Sequence, residues 1–198
     1  MKKSIPLFNK VLVNVLLFII FIFSVGSYVS YKKGYRINLT ESYPLGLYQI
    51  VNDLNISKND MVLFCPPNNR FFKKAYLRGY IEKGLCPSGY WELQKKVVGL
   101  AGDHLQIDDY VYINNNKIKN TKIFKIDPQG NDMYFMPNKD KNMVIPKGFM
   151  FVVSDYNELS FDGRYFGIVP INSLIGKIKP IFILSADEAK TLKIYNKE

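Results

Sequence analysis

Between Val11 and Tyr31 the chain reads VLVNVLLFIIFIFSVGSYVSY, 21 positions without a charge, with Asn14 the one strongly polar interruption. A helix needs about 20 apolar residues to cross a bilayer. Tyr28 and Tyr31 stand near one end, where amphipathic rings favour the membrane interface. The pattern predicts one N-terminal span over 11–31. A cleaved secretory signal is the rival reading. Its apolar run would be about 7–15 residues and would end in a small-x-small site. Ser24, Gly26 and Ser27 supply such a site only loosely, and the uncleaved span fits the length better.

Past the span the period changes. DMVLF (60–64), KKVVGL (95–100), HLQID (104–108), FMFVVSD (149–155) and PIFIL (180–184) are short, β-branched or aromatic, and bounded by Gly, Pro, Asn or Asp. Such runs predict strands. Residues 109–120, DYVYINNNKIKN, read as a hairpin, with Asn114–Asn116 supplying residues that tolerate positive φ. Tyr110, Tyr112 and Asn114 alternate there with Val111 and Ile113, as a half-exposed strand would. Pro and Gly recur too often for long helices, and only 69–84 and the polar tail 185–198 remain as helical candidates. The expected fold class is mainly β, behind one membrane helix.

Charge narrows the function classes. The chain carries +10 at pH 7 from 27 Lys+Arg and 17 Asp+Glu. The lysines are scattered among Asn and Asp without a long basic run or an RNA-binding aromatic signature, which predicts a solvated basic surface near anionic lipid rather than a nucleic-acid partner. Lys2, Lys3 and Lys10 before the span face Lys32, Lys33 and Arg36 after it, so charge alone does not orient the protein. The one histidine, His104, excludes multi-histidine metal sites and argues against a Ser-His-Asp triad. It reads as an exposed strand residue, and its neighbour Asp103 as a turn residue. Two cysteines cannot form a four-cysteine zinc site. No phosphate loop, G-x-S-x-G elbow or H-E-x-x-H is present, and Gly99 and Gly102 form only a weak G-x-x-G. No metal and no cofactor is expected. Any chemistry must use a base other than histidine.

Three segments stand out in order: NLTESYPLGLY (38–48), LQKKVVGLAGD (93–103) and SDYNELSFDGRYFGIVP (154–170). Taken singly, Ser42 reads as a turn residue before Pro44 and Lys95 as a solvated strand lysine. On a strand, however, Lys95 shares a face with Leu93 and Val97, while Lys96 shares one with Gln94 and Val98. Apolar company of this kind is what a lysine base needs. An ordinary lysine is neutral in fewer than about one molecule in a thousand at pH 7, and burial can depress its pKa by about 3–5 units.

Together the segments resemble the boxes of type I signal peptidases, in the variant of the conjugative-transfer (TraF-type) signal peptidases. Ser-x-Pro-x-Gly-Leu-Tyr, Lys-basic-Val-x-Gly-x-x-Gly-Asp and Ser-x-Asp-x-Arg-x-x-Gly-x-Val follow one another behind a single span, over roughly residues 1 to 184. The resemblance implies a signal-peptidase-like domain of antiparallel sheets over 32–184, between a cytoplasmic N-terminus (1–10) with its anchor (11–31) and a polar tail (185–198). It implies Ser42 as nucleophile and Lys95 as general base. Thr40 would be an oxyanion-hole donor beside the Ser42 N–H, one such donor being worth about 2.7–4 kcal/mol. Ser160 would orient the lysine, and Asp162 and Arg164 would brace the loop around it. Gly163 stands where relatives often have Ser, and Ser154 where leader peptidases tend to have Gly. Asn38-Leu39-Thr40 also reads as a glycosylation sequon, taken as accidental.

Relatives of this kind also place cysteines before Pro, as at Cys65 and Cys86. These two would either close an inserted loop as a disulfide or remain free thiols. The implied activity is a single-pass inner-membrane Ser/Lys endopeptidase with its domain in the periplasm. Its partner would be an exported precursor bound as an extended peptide, such as a conjugative pilin, with membrane lipid and conjugation or secretion machinery around it. A general leader peptidase, which usually has Ser-Met-x-Pro, and a non-catalytic assembly factor that keeps the fold are the alternatives.

Overall fold

The computed structural model describes residues 7–51, 53–133 and 142–195. Lys2 and Lys3 of the expected cytoplasmic end, and the last three residues of the tail, lie outside the described residues. Helix α1 (Leu7–Lys32) runs without a break for 26 residues. Its Lys10–Lys32 stretch, with a mean hydropathy of 2.4, is long and apolar enough to cross a membrane. Every side chain from Lys10 to Ser30 is exposed, Phe18, Phe21 and Phe23 among them. An uncovered apolar helix of this size belongs in lipid.

Only Lys33 and Gly34 separate the helix from β1 (Tyr35–Asn38). With β2 (Gly46–Val51), β3 (Met61–Phe64), β4 (Leu93–Leu100), β9 (Phe149–Val153), β10 (Val169–Pro170) and β11 (Leu174–Ile183), β1 builds an antiparallel sheet ordered β1-β2-β11-β3-β4-β9-β10. A second antiparallel sheet, ordered β7-β6-β5-β8, joins β5 (His104–Ile107), β6 (Val111–Ile113), β7 (Asn116–Lys117) and β8 (Asn142–Val144). The hairpin between β6 and β7 turns at Asn114 and Asn115, with φ of 50° and 65°. Asparagine tolerates that left-handed geometry because its short amide hydrogen-bonds locally.

Strand β4 lies near the centre of the large sheet and is covered on both sides. Val97 packs with Val62, Phe64, Met150 and Val152, while Val98 packs with Leu105, Val111, Ile145 and Phe151 from the small sheet and β9. Successive side chains on a strand point to opposite faces, so the neighbours Val97 and Val98 serve the two clusters, and a bulge between Val97 and Gly99 shifts the register against β9. This explains the apolar run VVGL, since a strand buried on both faces loses its alternation.

The segment 69–84 is helical only over α2 (Arg70–Leu77). Asn69 caps it by accepting from the N–H groups of Phe71 and Phe72, at 2.9 and 3.1 Å. Phe72 and Ala75, one turn apart, are its buried face and join the core of β3, β4 and β9. The helix stops because Gly79 takes φ of 72°. The sequence does not predict β1 and β2: 35–38 is only four residues long and buries its polar side, with Asn38 inside and Ile37 exposed, and 46–51 shows no clean alternation. Strand β11 starts at Leu174 rather than Pro180, because Gly176, Lys177 and Lys179 mask its alternation. Helix α4 (Ala186–Tyr195) occupies most of the tail.

Cys65 and Cys86 are joined by a disulfide across 21 positions, closing the loop that carries α2. A cross-link around a loop of this length removes unfolded-state entropy worth about 3 kcal/mol. Replacing both with Ser is expected to lower unfolding free energy by about that amount in denaturant titrations. Reductant should have the same effect on the parent chain and none on the double variant.

Candidate active site

Three elements converge on Lys95. Its position on β4, opposite Val62 of β3, turns the side chain toward the apolar cluster. Lys95 is 3% exposed, whereas Lys96, one residue on, reaches out to pair with Asp155. Within the sheet, the Lys95 Nζ lies 2.8 Å from the Oγ of Ser42 and 2.9 Å from the Oγ of Ser160. The two hydroxyls are 3.3 Å apart. Burial is the largest influence on the lysine and lowers its pKa to about 8. The Asp162 carboxylate works against that shift, and the Arg164 guanidinium adds to it. At pH 7 about one such amine in ten is neutral. The arrangement can take a proton from the Ser42 hydroxyl.

Ser42 sits on the connection between β1 and β2, half-buried, and Asn38 at the end of β1 organises that connection. The Asn38 amide nitrogen faces the carbonyls of Thr40, Tyr43 and Pro44, each at 3.1 Å, and its oxygen accepts from the Thr40 N–H and hydroxyl. The Thr40 hydroxyl donates to Asn38 at 2.8 Å. Thr40 therefore lies on the Ser42 loop, but its proton is committed away from Ser42. Next in the chain, Tyr43 is buried, and its hydroxyl contacts the Val153 carbonyl and the Asp155 carboxylate. Burial, then that carboxylate, pushes the phenol pKa well up.

The loop after β9 supplies the remaining parts. Asp162 and Arg164, both fully buried, form a two-point ion pair at 2.8 and 2.9 Å. Asp162 also caps the short helix α3 (Gly163–Phe166) and accepts from the Ser154 N–H. Arg164 donates to the carbonyls of Lys122, Glu158 and Ser160. Burial alone would lower the Arg164 pKa, but Asp162 more than offsets it. Each charged atom has a partner, the condition under which a buried pair is tolerable. The pair holds the 154–162 loop shut and so fixes Ser160 over the lysine.

Two residues of this machinery were not read as such in the sequence. Asn38 was taken only as a chance sequon. Ser154, noted as a departure from Gly, is fully buried and donates at 2.6 Å to the carbonyl of Ser42 itself. Its oxygen also accepts from the N–H groups of Tyr156 and Asn157. Ser154 thus ties the Ser42 backbone to the Asp162–Arg164 loop. The serine standing where leader peptidases tend to have Gly was the one available signal. Gly163 also has a local cause: a Cβ there would meet the Val152 carbonyl at 2.5 Å and the Phe151 ring at 2.8 Å. Asp103 holds a turn, accepting from the Leu100 N–H, Asn114 and Lys58. His104 lies half-buried on β5. Among the described residues there is no group of three or more His, Cys, Asp or Glu that could hold a metal ion.

Two outcomes follow for stability. Because folding depresses the Lys95 pKa, the folded state holds fewer protons than the unfolded chain between about pH 8 and the ordinary lysine value of 10.5. The charge penalty is full below that window and fades as pH rises through it. Lys95→Met should therefore be more stable than the parent at pH 7, by up to about 3 kcal/mol. In thermal unfolding measured against pH, the difference should shrink toward pH 10.5. Gly163→Ser should destabilise by about 1–3 kcal/mol through overpacking against β9, read as a lower denaturation midpoint.

The family model described as "Signal peptidase, peptidase S26" matches residues 7–183. The conjugal transfer protein TraF of Agrobacterium fabrum is 36% identical over 150 residues, covering 75% of this chain and 82% of that protein. The plasmid transfer protein TraF of Escherichia coli is 34% identical over 154 residues, covering 77% and 85%. Signal peptidase I of Bacillus caldolyticus is 30% identical over 90 residues, covering 42% of this chain and 50% of that protein. With its matching region running from the start of the anchor helix through the end of β11, the chain belongs to the signal peptidase (S26) family.

Proposed function

We propose that this chain is a membrane-anchored serine endopeptidase that uses Ser42 and Lys95 as a dyad. Its substrate would be an exported precursor, such as a conjugative pilin, cut during conjugative transfer. The observation that carries the reading is a buried amine, its pKa lowered to about 8, lying 2.8 Å from a serine hydroxyl. The similarity to TraF proteins over three quarters of the chain, against 42% for the signal peptidase I relative, favours a conjugation substrate over general secretion.

In this mechanism neutral Lys95 takes the Ser42 proton as Oγ attacks the scissile carbonyl. The resulting ammonium then gives that proton to the departing amine, leaving an acyl-enzyme. Water, deprotonated by the same lysine, releases the acid product. Ser160 holds the amine in line throughout. The Ser42 N–H is the first oxyanion donor, and Thr40 would join it by exchanging Asn38 for the substrate oxygen. The peptide would bind extended, as an added strand. Inner-membrane placement, with the domain in the periplasm, belongs to the same reading and rests on the exposed α1 and the family.

Purified full-length protein is expected to cleave a matched precursor, and Ser42→Ala or Lys95→Met should each lower kcat by more than about 10³-fold. Since only the neutral amine acts as base, kcat/KM should rise with pH and reach half its plateau at about pH 8. Normal precursor maturation in cells carrying either variant would overturn the enzyme reading and leave a non-catalytic assembly role.

A further inference from the structure

The junction between anchor and domain is built as tightly as the site. Helix α1 ends at Lys32, and Gly34, with φ of 85°, turns the chain at once into β1. The Gly34 N–H returns to the Tyr31 carbonyl, and the Gly34 carbonyl accepts from Ile50 of β2. Arg36 then reaches back. Its Nη1 donates at 3.0 Å to the carbonyls of Tyr31 and Tyr35, satisfying an acceptor that a helix end leaves open. Its Nε and Nη2 hold Glu92 at 2.6 and 3.2 Å. The Tyr31 hydroxyl donates to the same carboxylate at 3.2 Å, and the guanidinium lies 3.8 Å from the centre of the Tyr31 ring. The Arg36 and Glu92 side chains are only 14% and 9% exposed.

Two members of this cluster lie on or beside the strands that carry the Ser42 and Lys95 segments. Arg36 precedes by two residues Asn38, which organises the Ser42 loop, and both lie on β1. Glu92 precedes Lys95 by three residues and leads directly into β4. The same edge carries exposed Ile37, Leu39 and Phe182, at the end of the domain that the anchor enters.

We propose that Tyr31, Arg36 and Glu92 form a clamp that makes the anchor and the site one rigid body, and so set the height above the bilayer at which Ser42 meets membrane-inserted precursors. The substrate part of this inference rests on the peptidase reading above. A substrate anchored in the same membrane presents its scissile bond at a fixed height. Holding the site at a matching height removes orientational freedom that a loose tether would have to search. A short peptide in solution gains nothing from the clamp. These three are positioning residues, and their loss should separate the two kinds of substrate.

The test uses the full chain in lipid nanodiscs. Spin labels at Ser27→Cys in α1 and Lys147→Cys in the domain should give a narrow distance distribution, at least twofold broader after Arg36→Ala. Against a membrane-inserted precursor, kcat/KM should fall at least tenfold in Arg36→Ala and in Tyr31→Leu. Cleavage of a soluble peptide with the same cut site should stay within twofold. Tyr31→Leu leaves no buried charge unpaired, so it tests the clamp even if Arg36→Ala folds poorly. Equal loss on both substrates, or no loss on either, would overturn the proposal. A parent protein that cleaves neither substrate would refute the peptidase reading instead. The label distances then decide the clamp, and an unchanged width in both variants would overturn it.

Discussion

A primary amine held in an apolar sheet is the constraint around which the rest of the structure is arranged. Lys95 is excluded from water on all but 3% of its surface, and burial depresses its pKa more than the nearby Asp162 carboxylate restores it. A charged amine placed there would be costly, and a neutral one needs acceptors and donors that will not rearrange. Ser42 and Ser160 meet that need at 2.8 and 2.9 Å. The same burial that destabilises the protonated lysine raises its neutral fraction near neutral pH. The stability of the fold and the neutrality of the amine are therefore coupled at one atom.

The surroundings of that atom are held by a circuit of short bonds rather than by apolar packing alone. Asn38 gathers the turn that bears Ser42, and Ser154 holds the Ser42 carbonyl from the opposite loop. Asp162 ties Ser154 to Arg164, and Arg164 holds the Ser160 carbonyl. The circuit closes where Ser160 touches the lysine. A hydroxyl and an amine on two loops and one strand could otherwise drift by an ångström, enough to lose much of the rate. The buried Arg36–Glu92 pair joins β1 to the segment leading into β4, next to the end of α1.

Much of this was legible before any coordinates, and the exceptions have physical causes. The span, the hairpin with its asparagine turn and five of the strands follow from period and turn chemistry, which act within a few residues. Strand β1 escaped because it is four residues long and turns its polar side inward, Asn38 buried and Ile37 exposed, and β2 because Gly46–Val51 has no regular alternation. Helix α2 was drawn too long because Gly79 ends it through backbone conformation rather than through its polarity. Asn38 and Ser154 escaped for different reasons. Asn38 gathers carbonyls only two to six positions ahead, in a turn geometry that residue type alone does not reveal, whereas the Ser42 carbonyl held by Ser154 is 112 positions away and leaves no local trace.

The amino-acid sequence by itself determined the apolar span and the β-rich character of the domain. Both rest on the spacing of apolar residues along one segment, so local order suffices. Strand parity set Lys95 only modestly apart from Lys96, which has Val98 on its face, and the family resemblance made that choice. Tertiary structure alone decided how deeply Lys95 is buried, which hydroxyls touch it and what braces them. Those properties arise where β4, the β1–β2 turn and the loop after β9 meet. Desolvation and hydrogen bonding depend on the atoms surrounding a group, and folding brings those atoms together from distant parts of the chain.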